Sequence, residues 1–247
     1  MSHHRPGCRR EWIAVDGPAG AGKSTLARAL ARALGFRYVD TGAMYRAAAL
    51  AALRAGLLAH EPIDADAVVR LVKRLDIRIG TEPEGDRPAP VYLDGEDVSE
   101  AVRSLEVGQA ASAIARLAGV RRILAGLQRR LAEAGPCVME GRDIGTVILP
   151  EACVKLYVTA SLEERARRRA RELAADVPGA GDPGGSEAGV EAVMRELARR
   201  DRQDSSRETA PLMVAPDAVT LDTTGQDLAS VLQRALAICR ERLGGGP

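Results

Sequence analysis

The sequence predicts an α/β fold built around a mostly parallel sheet. Short apolar runs alternate with longer Ala-, Leu- and Arg-rich segments of helical period along most of the 247 residues. Aromatic residues make up only 2% of the chain, so we expect a core of Ala, Leu, Val and Ile. Such a core suits helices packed on a sheet better than an aromatic-rich β-sandwich.

Five apolar runs predict the strands of the sheet, at residues 11–17, 36–40, 136–141, 154–160 and 218–223. Helices are expected between them, and Gly35 and Gly56 stand where the first two helices should end. Ser161 and Glu164 form a capping-box pattern at the start of a strongly basic helix. The predicted helical segments are 23–34, 41–55, 104–134, 161–176, 190–207 and 227–243.

Three further segments complete the expected organisation. Short alternating runs on either side of a Pro-rich stretch predict a small β insertion at about 75–103. Residues 1–10 are expected to form a disordered tail, and the Gly- and Pro-rich residues 177–189 a flexible loop. Residues 11–247 are expected to form a single domain.

Composition excludes several classes of protein. The net charge of +1 gives no global attraction for nucleic acid or an anionic membrane, and no apolar run approaches the roughly 18 residues of a membrane span. There are three His residues, two of them in the tail, so a zinc site or a His-based triad is not expected. Cys8, Cys137, Cys153 and Cys239 lack C-x-x-C spacing and are interpreted as reduced core residues of a cytoplasmic protein.

The stretch GPAGAGKS matches the phosphate-binding pattern G-x-x-x-x-G-K-[ST]. Glycines let the backbone wrap an anion with its N–H groups pointing inward, and the following helix adds its positive end. Lys23 adds a full charge between the outer phosphates, and the Ser24 hydroxyl can ligate Mg²⁺. The motif joins a predicted strand to a predicted helix, so we expect it to bind a nucleoside triphosphate. The residues expected to contact ATP here are Gly17, Pro18, Ala19, Gly20, Ala21, Gly22, Lys23, Ser24 and Thr25.

The rest of the sequence narrows the class of P-loop protein. A small GTPase needs an N-K-x-D motif to read guanine, and the chain contains no Asn. A motor ATPase would carry an acid at the end of a later apolar strand to hold Mg²⁺, whereas KLYVTA ends without one. A small-molecule kinase remains, and it needs a second, anion-binding pocket for the acceptor of the phosphoryl group.

Two segments that follow predicted strands can supply that pocket. DTGAMYR carries Arg46 one helical turn beyond a flexible glycine, and Arg can bind two phosphate oxygens at once. MEGRDIG places Arg142 and Asp143 between two glycines at the carboxyl edge of the sheet, where ligands bind in open α/β folds. Arg142 can hold phosphate, and Asp143 can accept from an exocyclic amine or orient Arg142.

Two arginine-rich helices flank the expected flexible loop. In the second, Arg200, Asp204 and Arg207 are spaced to share one helix face; in the first, Arg165 and Arg169 are four residues apart. A hinged lid that carries arginines onto the transferring phosphate would neutralise charge and exclude water, as phosphoryl transfer requires. The alternative is a solvated helix face of interleaved acidic and basic side chains.

Together these segments resemble bacterial cytidylate kinases over about residues 13–243. The resemblance rests on DGPAGAGKST, YVDTGAMYR, LDGEDVSEAVRS, EGRDIGTVILP, SLEERARRR and RRDRQDSSRETAPL. It implies that ATP phosphorylates CMP or dCMP, with Mg²⁺ as cofactor, in a monomeric cytoplasmic enzyme without nucleic-acid or membrane partners. It also implies a P-loop three-layer fold with a parallel five-stranded sheet, a helical lid at 161–207 and a monophosphate-binding region at 41–119 that contains the β insertion.

The resemblance also assigns roles to individual residues. Arg165 is expected to lie near ATP. Arg121 is expected to donate to N3 and O2 of cytosine, and Ser112 or Asp143 to accept from its N4 amine. The residues expected to be catalytic are Lys23, Arg142, Asp143, Arg169 and Arg200. The residues expected to bind CMP are Thr41, Arg46, Ser112, Arg121, Arg142, Asp143, Arg200, Asp204 and Arg207.

Two other hypotheses stay open at this point. One is a kinase for another monophosphate, such as UMP or AMP. The other is a P-loop regulatory or RNA-binding protein, which the basic run at 165–171 would favour and the interleaved acidic residues oppose. Residues 177–189 look longer than the usual lid connection of the family, which bears on how the lid closes.

Overall fold

The computed structural model describes residues 8–60, 62–80, 89–175, 187–207 and 209–244. The chain divides into two compact units, one made of Met1–Leu30 with Arg142–Pro247 and the other of Ala31–Gly141. The strands are β1 (Arg9–Asp16), β2 (Arg37–Asp40), β3 (Ile77–Ile79), β4 (Val91–Leu93), β5 (Glu96–Asp97), β6 (Cys137–Glu140), β7 (Ala152–Thr159) and β8 (Val219–Asp222). The α-helices are α1 (Lys23–Leu34), α2 (Thr41–Arg54), α3 (Ala65–Val72), α4 (Leu105–Ile114), α5 (Ala118–Glu133), α6 (Leu162–Ala175), α7 (Glu187–Ser205) and α8 (Leu228–Leu243).

The five-stranded parallel sheet predicted from the sequence is confirmed, with the strand order β2-β6-β1-β7-β8. In the first unit, β1 pairs with β7 so that Asp16 lies opposite Tyr157. In the second unit, β2 pairs with β6 so that Asp40 lies beside Glu140. Parallel strands end at the same edge of a sheet, so each unit places acidic side chains at a carboxyl edge, where ligands bind in such folds.

The second unit has its own core around α2, whose Ala-rich sequence lets neighbouring helices approach closely. Met44 of α2 is fully buried, and Ile114 of α4 and Leu124 of α5 belong to the same apolar cluster. Strands β3, β4 and β5 form a three-stranded antiparallel sheet. This sheet is the small β insertion that the alternating runs predict.

In the first unit, α6 and α7 pack through a small apolar cluster of Ala19, Ala166 and Leu197. The predicted capping box opens α6, because the Glu164 amide donates to the Ser161 hydroxyl at 3.2 Å. Ala19 belongs to the glycine-rich loop, so the loop packs directly on the pair of arginine-rich helices. Within the described residues, no helix has the length and apolarity needed to cross a bilayer.

The cysteine prediction was wrong for one pair. Cys8 and Cys153 form a disulfide across 145 residues of sequence, with their Cα atoms 5.0 Å apart. The sheet brings them together, because Arg9 of β1 pairs with Ala152 of β7. The described free cysteines, Cys137 and Cys239, are buried as expected.

Three predicted boundaries also differ from the structure. β1 begins at Arg9, so the last two residues of the expected 1–10 tail belong to a strand; residues 1–7 lie outside the described residues. Most of the expected 177–189 loop also lies outside them, and its last three residues belong to α7. α7 ends at Ser205, short of Arg207. Near this end of α7, the Leu212 amide donates to the Asp204 carbonyl oxygen at 2.9 Å.

Candidate active site

The glycine-rich loop lies between β1 and α1, as predicted. Gly17 has a φ of +145°, and a Cβ there would lie 1.9 Å from a backbone carbonyl oxygen of β7, so only glycine fits. Lys23 is buried, and its Nζ donates to the Pro18 carbonyl oxygen at 2.6 Å. Ser24 and Thr25 are exposed at the start of α1. A glycine turn, a cation and a helix N-terminus together form a phosphate-binding arrangement.

Asp16, the last residue of β1, lies at the carboxyl edge of the sheet and was not among the residues predicted for the site. Its carboxylate accepts from the backbone amides of Ile144 at 2.8 Å and Gly145 at 2.7 Å. These amides open a single π-helical turn at Ile144–Ile148, directly after the predicted Arg142–Asp143 pair. Burial raises the pKa of Asp16 from 3.8 to about 6, the charge of Asp143 adds to the rise, and the two amides and Lys23 oppose it.

Arg142 and Arg207 both bind Asp204, which is buried. The Arg142 Nε donates to Asp204 Oδ2 at 3.0 Å, and Arg207 pairs with the other oxygen. Burial disfavours the charged form of Asp204, but Arg142 and Arg207 outweigh it and hold the pKa below its ordinary value. Burial lowers the pKa of Arg200, and the charge of Arg142 lowers it further. The structure therefore brings these four predicted residues together.

Arg165 lies against the glycine-rich loop but is held by protein groups. Its Nη1 donates to the Ala19 carbonyl oxygen at 3.2 Å and pairs with Asp201 Oδ2 at 2.6 Å. Its Nε donates to the Ala160 carbonyl oxygen at 3.1 Å. Arg165 thus connects α6, α7 and the loop, and its proximity to ATP stays a prediction.

Arg168, rather than Arg169, is the α6 arginine that lies beside the turn of the glycine-rich loop. Its Nη1 would be 3.5 Å from a Cβ at Gly22, and its guanidinium donates to the Thr223 hydroxyl at 2.9 Å and the Thr223 carbonyl oxygen at 2.7 Å. Arg169 pairs with Glu172 at 2.9 Å and is close enough to lower the pKa of Arg200. Positions three and four residues after Arg165 lie on the same side of a helix, so sequence spacing could not choose between them.

In the second unit, Asp40 holds Arg46 and the start of α2 with one carboxylate. Its Oδ1 accepts from the Ala43 amide at 2.9 Å, and its Oδ2 accepts from the Arg46 Nη2 at 2.9 Å. Burial alone would lower the pKa of Arg46, but the charges of Asp40 and Glu140 outweigh this effect, so the pKa is raised above its ordinary value. Arg46 is therefore a fixed, fully charged cation at the carboxyl edge of β2.

Tyr38, Thr41 and Glu140 form a second layer of contacts there. The Thr41 hydroxyl donates to the Glu140 carbonyl oxygen at 2.7 Å, and the Tyr38 hydroxyl donates to the Glu140 carboxylate. Glu140 is buried at the end of β6. The position of Glu140 directly before the GRDIG motif is the sequence signal that could have identified it as a site residue. No such signal points to its partner Tyr38, which lies 102 residues away.

Arg121 and Ser112 also belong to the second unit. Arg121 is buried in α5, and its guanidinium carbon lies 6.0 Å from the centre of the Tyr45 ring. Tyr45 directly precedes Arg46 in α2. Ser112 lies in α4, half-buried, and its hydroxyl donates to the Gly108 carbonyl oxygen at 3.2 Å. The structure thus places Arg121 beside α2.

Gly42→Ala is expected to raise the KM for the acceptor about tenfold while leaving the KM for ATP within about twofold. A Cβ at Gly42 would lie 3.0 Å from the Arg46 Nη1 and 3.1 Å from Asp40 Oδ1, so the guanidinium must shift. Steady-state kinetics with each substrate varied would measure this. Gly126→Ala in α5 is the matched control, because its Cβ would meet nothing closer than 3.7 Å. An unchanged acceptor KM in Gly42→Ala would contradict the expectation that Arg46 binds the acceptor phosphate.

Comparison with known proteins gives a consistent result. The family model described as Cytidylate kinase matches residues 13–241. A protein named Cytidylate kinase from Mycobacterium avium is 47% identical over 231 residues, which is 93% of this chain and 95% of that protein. A protein of the same name from Pelotomaculum thermopropionicum is 47% identical over 91% of this chain and 94% of its own length. Another, from Geobacillus kaustophilus, is 45% identical over 96% of this chain and 99% of its own length.

Proposed function

Because the chain belongs to the cytidylate kinase family, we propose that it transfers the γ-phosphoryl group of ATP to CMP and dCMP, giving ADP with CDP or dCDP. The P–O bond to the β-phosphate breaks, and a new P–O bond forms to the acceptor's phosphate oxygen. The acceptor oxygen is already ionised at neutral pH, so the reaction needs no strong protein base. It needs in-line placement, charge neutralisation and exclusion of water.

The observation that carries this proposal is the crowding of cations around Asp204. Arg142, Arg200 and Arg207 lie around one buried carboxylate, and burial with the charge of Arg142 lowers the pKa of Arg200, although Asp204 and Glu196 oppose that shift. Bringing these guanidinium groups together is costly, and an anion that joins them would offset the cost. A transferring phosphoryl group between two nucleotides is an anion of that kind, and guanidinium groups can bind its oxygens in pairs.

Lys23 and the glycine-rich loop are proposed to bind the phosphates of ATP. The glycine-rich loop joins the end of β1 to the N-terminus of α1, where backbone amides and the positive end of the helix favour phosphate. Ser24 is exposed at the start of α1, where its hydroxyl would be a ligand of the Mg²⁺ that accompanies ATP. When bound, this ion would neutralise phosphate charge. We place Arg165 and Arg169 in the lid, at 161–207, on the donor side.

The acceptor is proposed to bind in the region at 41–119. Arg46 would hold the CMP phosphate, with Thr41 beside it. Arg121 would donate to N3 and O2 of cytosine, and Ser112 or Asp143 would accept from the N4 amine. Uracil reverses the donors and acceptors at positions three and four. UMP would therefore leave polar groups of the site unpaired, and each unpaired group would weaken binding by about 1–3 kcal/mol.

Asp143→Ala is expected to lower kcat about 10–100-fold and to reduce the preference for CMP over UMP. The variant removes an acceptor for the cytosine amine and a charge partner for nearby cations. The ratio of kcat/KM for CMP to that for UMP measures the change. A matched control is Asp66→Ala, because Asp66 is an exposed acidic residue of α3. An unchanged ratio together with an unchanged kcat would remove Asp143 from the proposed site.

A panel of CMP, dCMP, UMP, AMP and dTMP with ATP tests the proposal directly. We expect CMP and dCMP to be the best acceptors by at least about tenfold in kcat/KM. AMP as the best acceptor would overturn the base assignment and favour another monophosphate kinase. ATPase activity stimulated by RNA but not by CMP, with a steep salt dependence of binding, would favour the regulatory alternative.

We also propose a monomer that acts in the cytoplasm, as the family resemblance implies. The Cys8–Cys153 disulfide is the feature that runs against a reducing compartment. Mass measurement in solution and thiol labelling of the protein from cells, before and after reduction, test the two statements separately.

A further inference from the structure

Asp16 is a buried carboxylate to which the proposed function assigns no part. It is 5% exposed at the end of β1, immediately before the glycine-rich loop. A buried carboxylate is costly unless its oxygens are bound, so its partners show what it is for. Lys23 and Asp143 are the charged groups that act on it, and Tyr157 lies opposite it on β7.

Both oxygens of Asp16 accept hydrogen bonds from consecutive backbone amides. Oδ1 accepts from Ile144 at 2.8 Å, and Oδ2 accepts from Gly145 at 2.7 Å, across 128 and 129 residues of sequence. The first amides of a helical turn have no partner within the turn, so a carboxylate placed there stabilises it. Asp16, at the end of β1, therefore caps the π-helical turn at Ile144–Ile148, which lies far from it in sequence.

The contact is close-packed as well as charged. A Cβ at Gly145 would lie 3.3 Å from Asp16 Oδ2 and 3.1 Å from the Lys155 Cδ, so even a methyl group there would press on both side chains. Lys155 is itself held by Asp217 at 3.0 Å and by the Pro150 carbonyl oxygen at 2.6 Å. The turn is thus fixed between a carboxylate on one side and an anchored lysine stem on the other.

We propose that Asp16 is a positioning residue that fixes the turn at Ile144–Ile148, and with it Asp143, beside the glycine-rich loop. The inference rests on the proposed function for the part that Asp143 plays in it. Asp143 is joined by one peptide bond to Ile144, so moving the Ile144 amide moves Asp143. The loop begins at Gly17, one peptide bond from Asp16. The carboxylate thus connects a donor-binding segment to a segment that acts on the acceptor.

Asp16→Asn is the variant that tests this, because it keeps the shape and replaces one acceptor oxygen with a donor. Of the Ile144 and Gly145 amides, the one that loses its acceptor is expected to exchange with deuterium at least about tenfold faster. The kcat with CMP is expected to fall about 10–100-fold while the KM for ATP stays within about twofold. Asp227→Asn is the matched control, because Asp227 accepts from the Ser230 amide at the exposed start of α8.

A double-mutant cycle separates positioning from general destabilisation. If Asp16 acts through Asp143, adding Asp16→Asn to Asp143→Ala should lower kcat by less than about threefold, because the positioned group is already gone. Losses that multiply would overturn the proposal, as would unchanged amide exchange in Asp16→Asn. A full loss in Asp16→Asn with normal activity in Asp143→Ala would defeat the role of Asp143 instead, and the exchange measurement would still decide the placement.

Gly145→Ala provides a second route if Asp16→Asn does not fold. It inserts a methyl group into the same contact and keeps every charge. The same faster exchange at Ile144 and the same loss of kcat with an unchanged KM for ATP are expected. A fully active, fully protected Gly145→Ala would contradict the close-packed contact on which the inference depends.

Discussion

Lys23→Ala is expected to lower kcat about 10³-fold or more. Lys23 is the buried cation of the glycine-rich loop, and its Nζ lies 2.6 Å from the Pro18 carbonyl oxygen. The transferring group and its leaving phosphate carry charge that this ammonium would neutralise, and alanine supplies nothing in its place. Initial rates of ADP formation with CMP present measure the loss, and thermal unfolding checks that the variant is folded.

Lys73→Ala is the matched control, since Lys73 is an exposed lysine at the end of α3. It should retain the parent activity within about twofold. Retention of more than a tenth of the activity by Lys23→Ala would mean that the glycine-rich loop does not act on the transferring phosphate. The proposed donor site would then have to move.

Arg46→Ala is expected to raise the KM for CMP about 10–100-fold with a smaller change in kcat and no change in the KM for ATP. The guanidinium is held by Asp40 at 2.9 Å, so it is already oriented before an acceptor phosphate arrives. Pre-organised bidentate pairing contributes to binding in both the ground state and the transition state, which is why KM should carry most of the effect. Separate titrations of CMP and ATP distinguish the two constants.

Arg54→Ala is the control on the same helix, because Arg54 is exposed and pairs with Glu96 at 2.7 Å. Arg46→Lys keeps the charge without the fork and should give an intermediate KM. It also keeps a partner for Asp40, so a loss shared by Arg46→Ala and Arg46→Lys cannot be ascribed to an unpaired carboxylate. Unaltered acceptor affinity in Arg46→Ala would place the acceptor phosphate elsewhere.

Features carried by short contiguous stretches of sequence could be predicted. The strand, glycine turn and helix around Lys23 follow one another directly, so their pattern predicts the phosphate-binding loop. Ser161 with Glu164 predicts the start of α6 for the same reason, because the capping bond spans three residues. The five apolar runs likewise predict the strands, since burial on both faces leaves a continuous apolar signal.

Features that depend on distant parts of the chain could not be predicted. The Arg142–Asp204 pair spans 62 residues, and the hydrogen bond from the Ile144 amide to Asp16 spans 128. No local sequence pattern predicts either contact. The Cys8–Cys153 disulfide depends on the register of β1 against β7, which the sequence leaves open. Spacing was ambiguous by one residue in α6, because Arg168 and Arg169 lie three and four residues after Arg165 and both positions neighbour it on the helix.

The central claim is that the loop at Lys23 and the arginines around Asp204 serve one phosphoryl transfer to a cytidine monophosphate. The most direct test mixes the purified chain with ATP, Mg²⁺ and CMP and resolves all four nucleotides by chromatography. We expect ADP and CDP to appear in equal amounts, and neither to form when CMP or Mg²⁺ is omitted. ADP that appears without CDP, or no conversion at all, would contradict the claim.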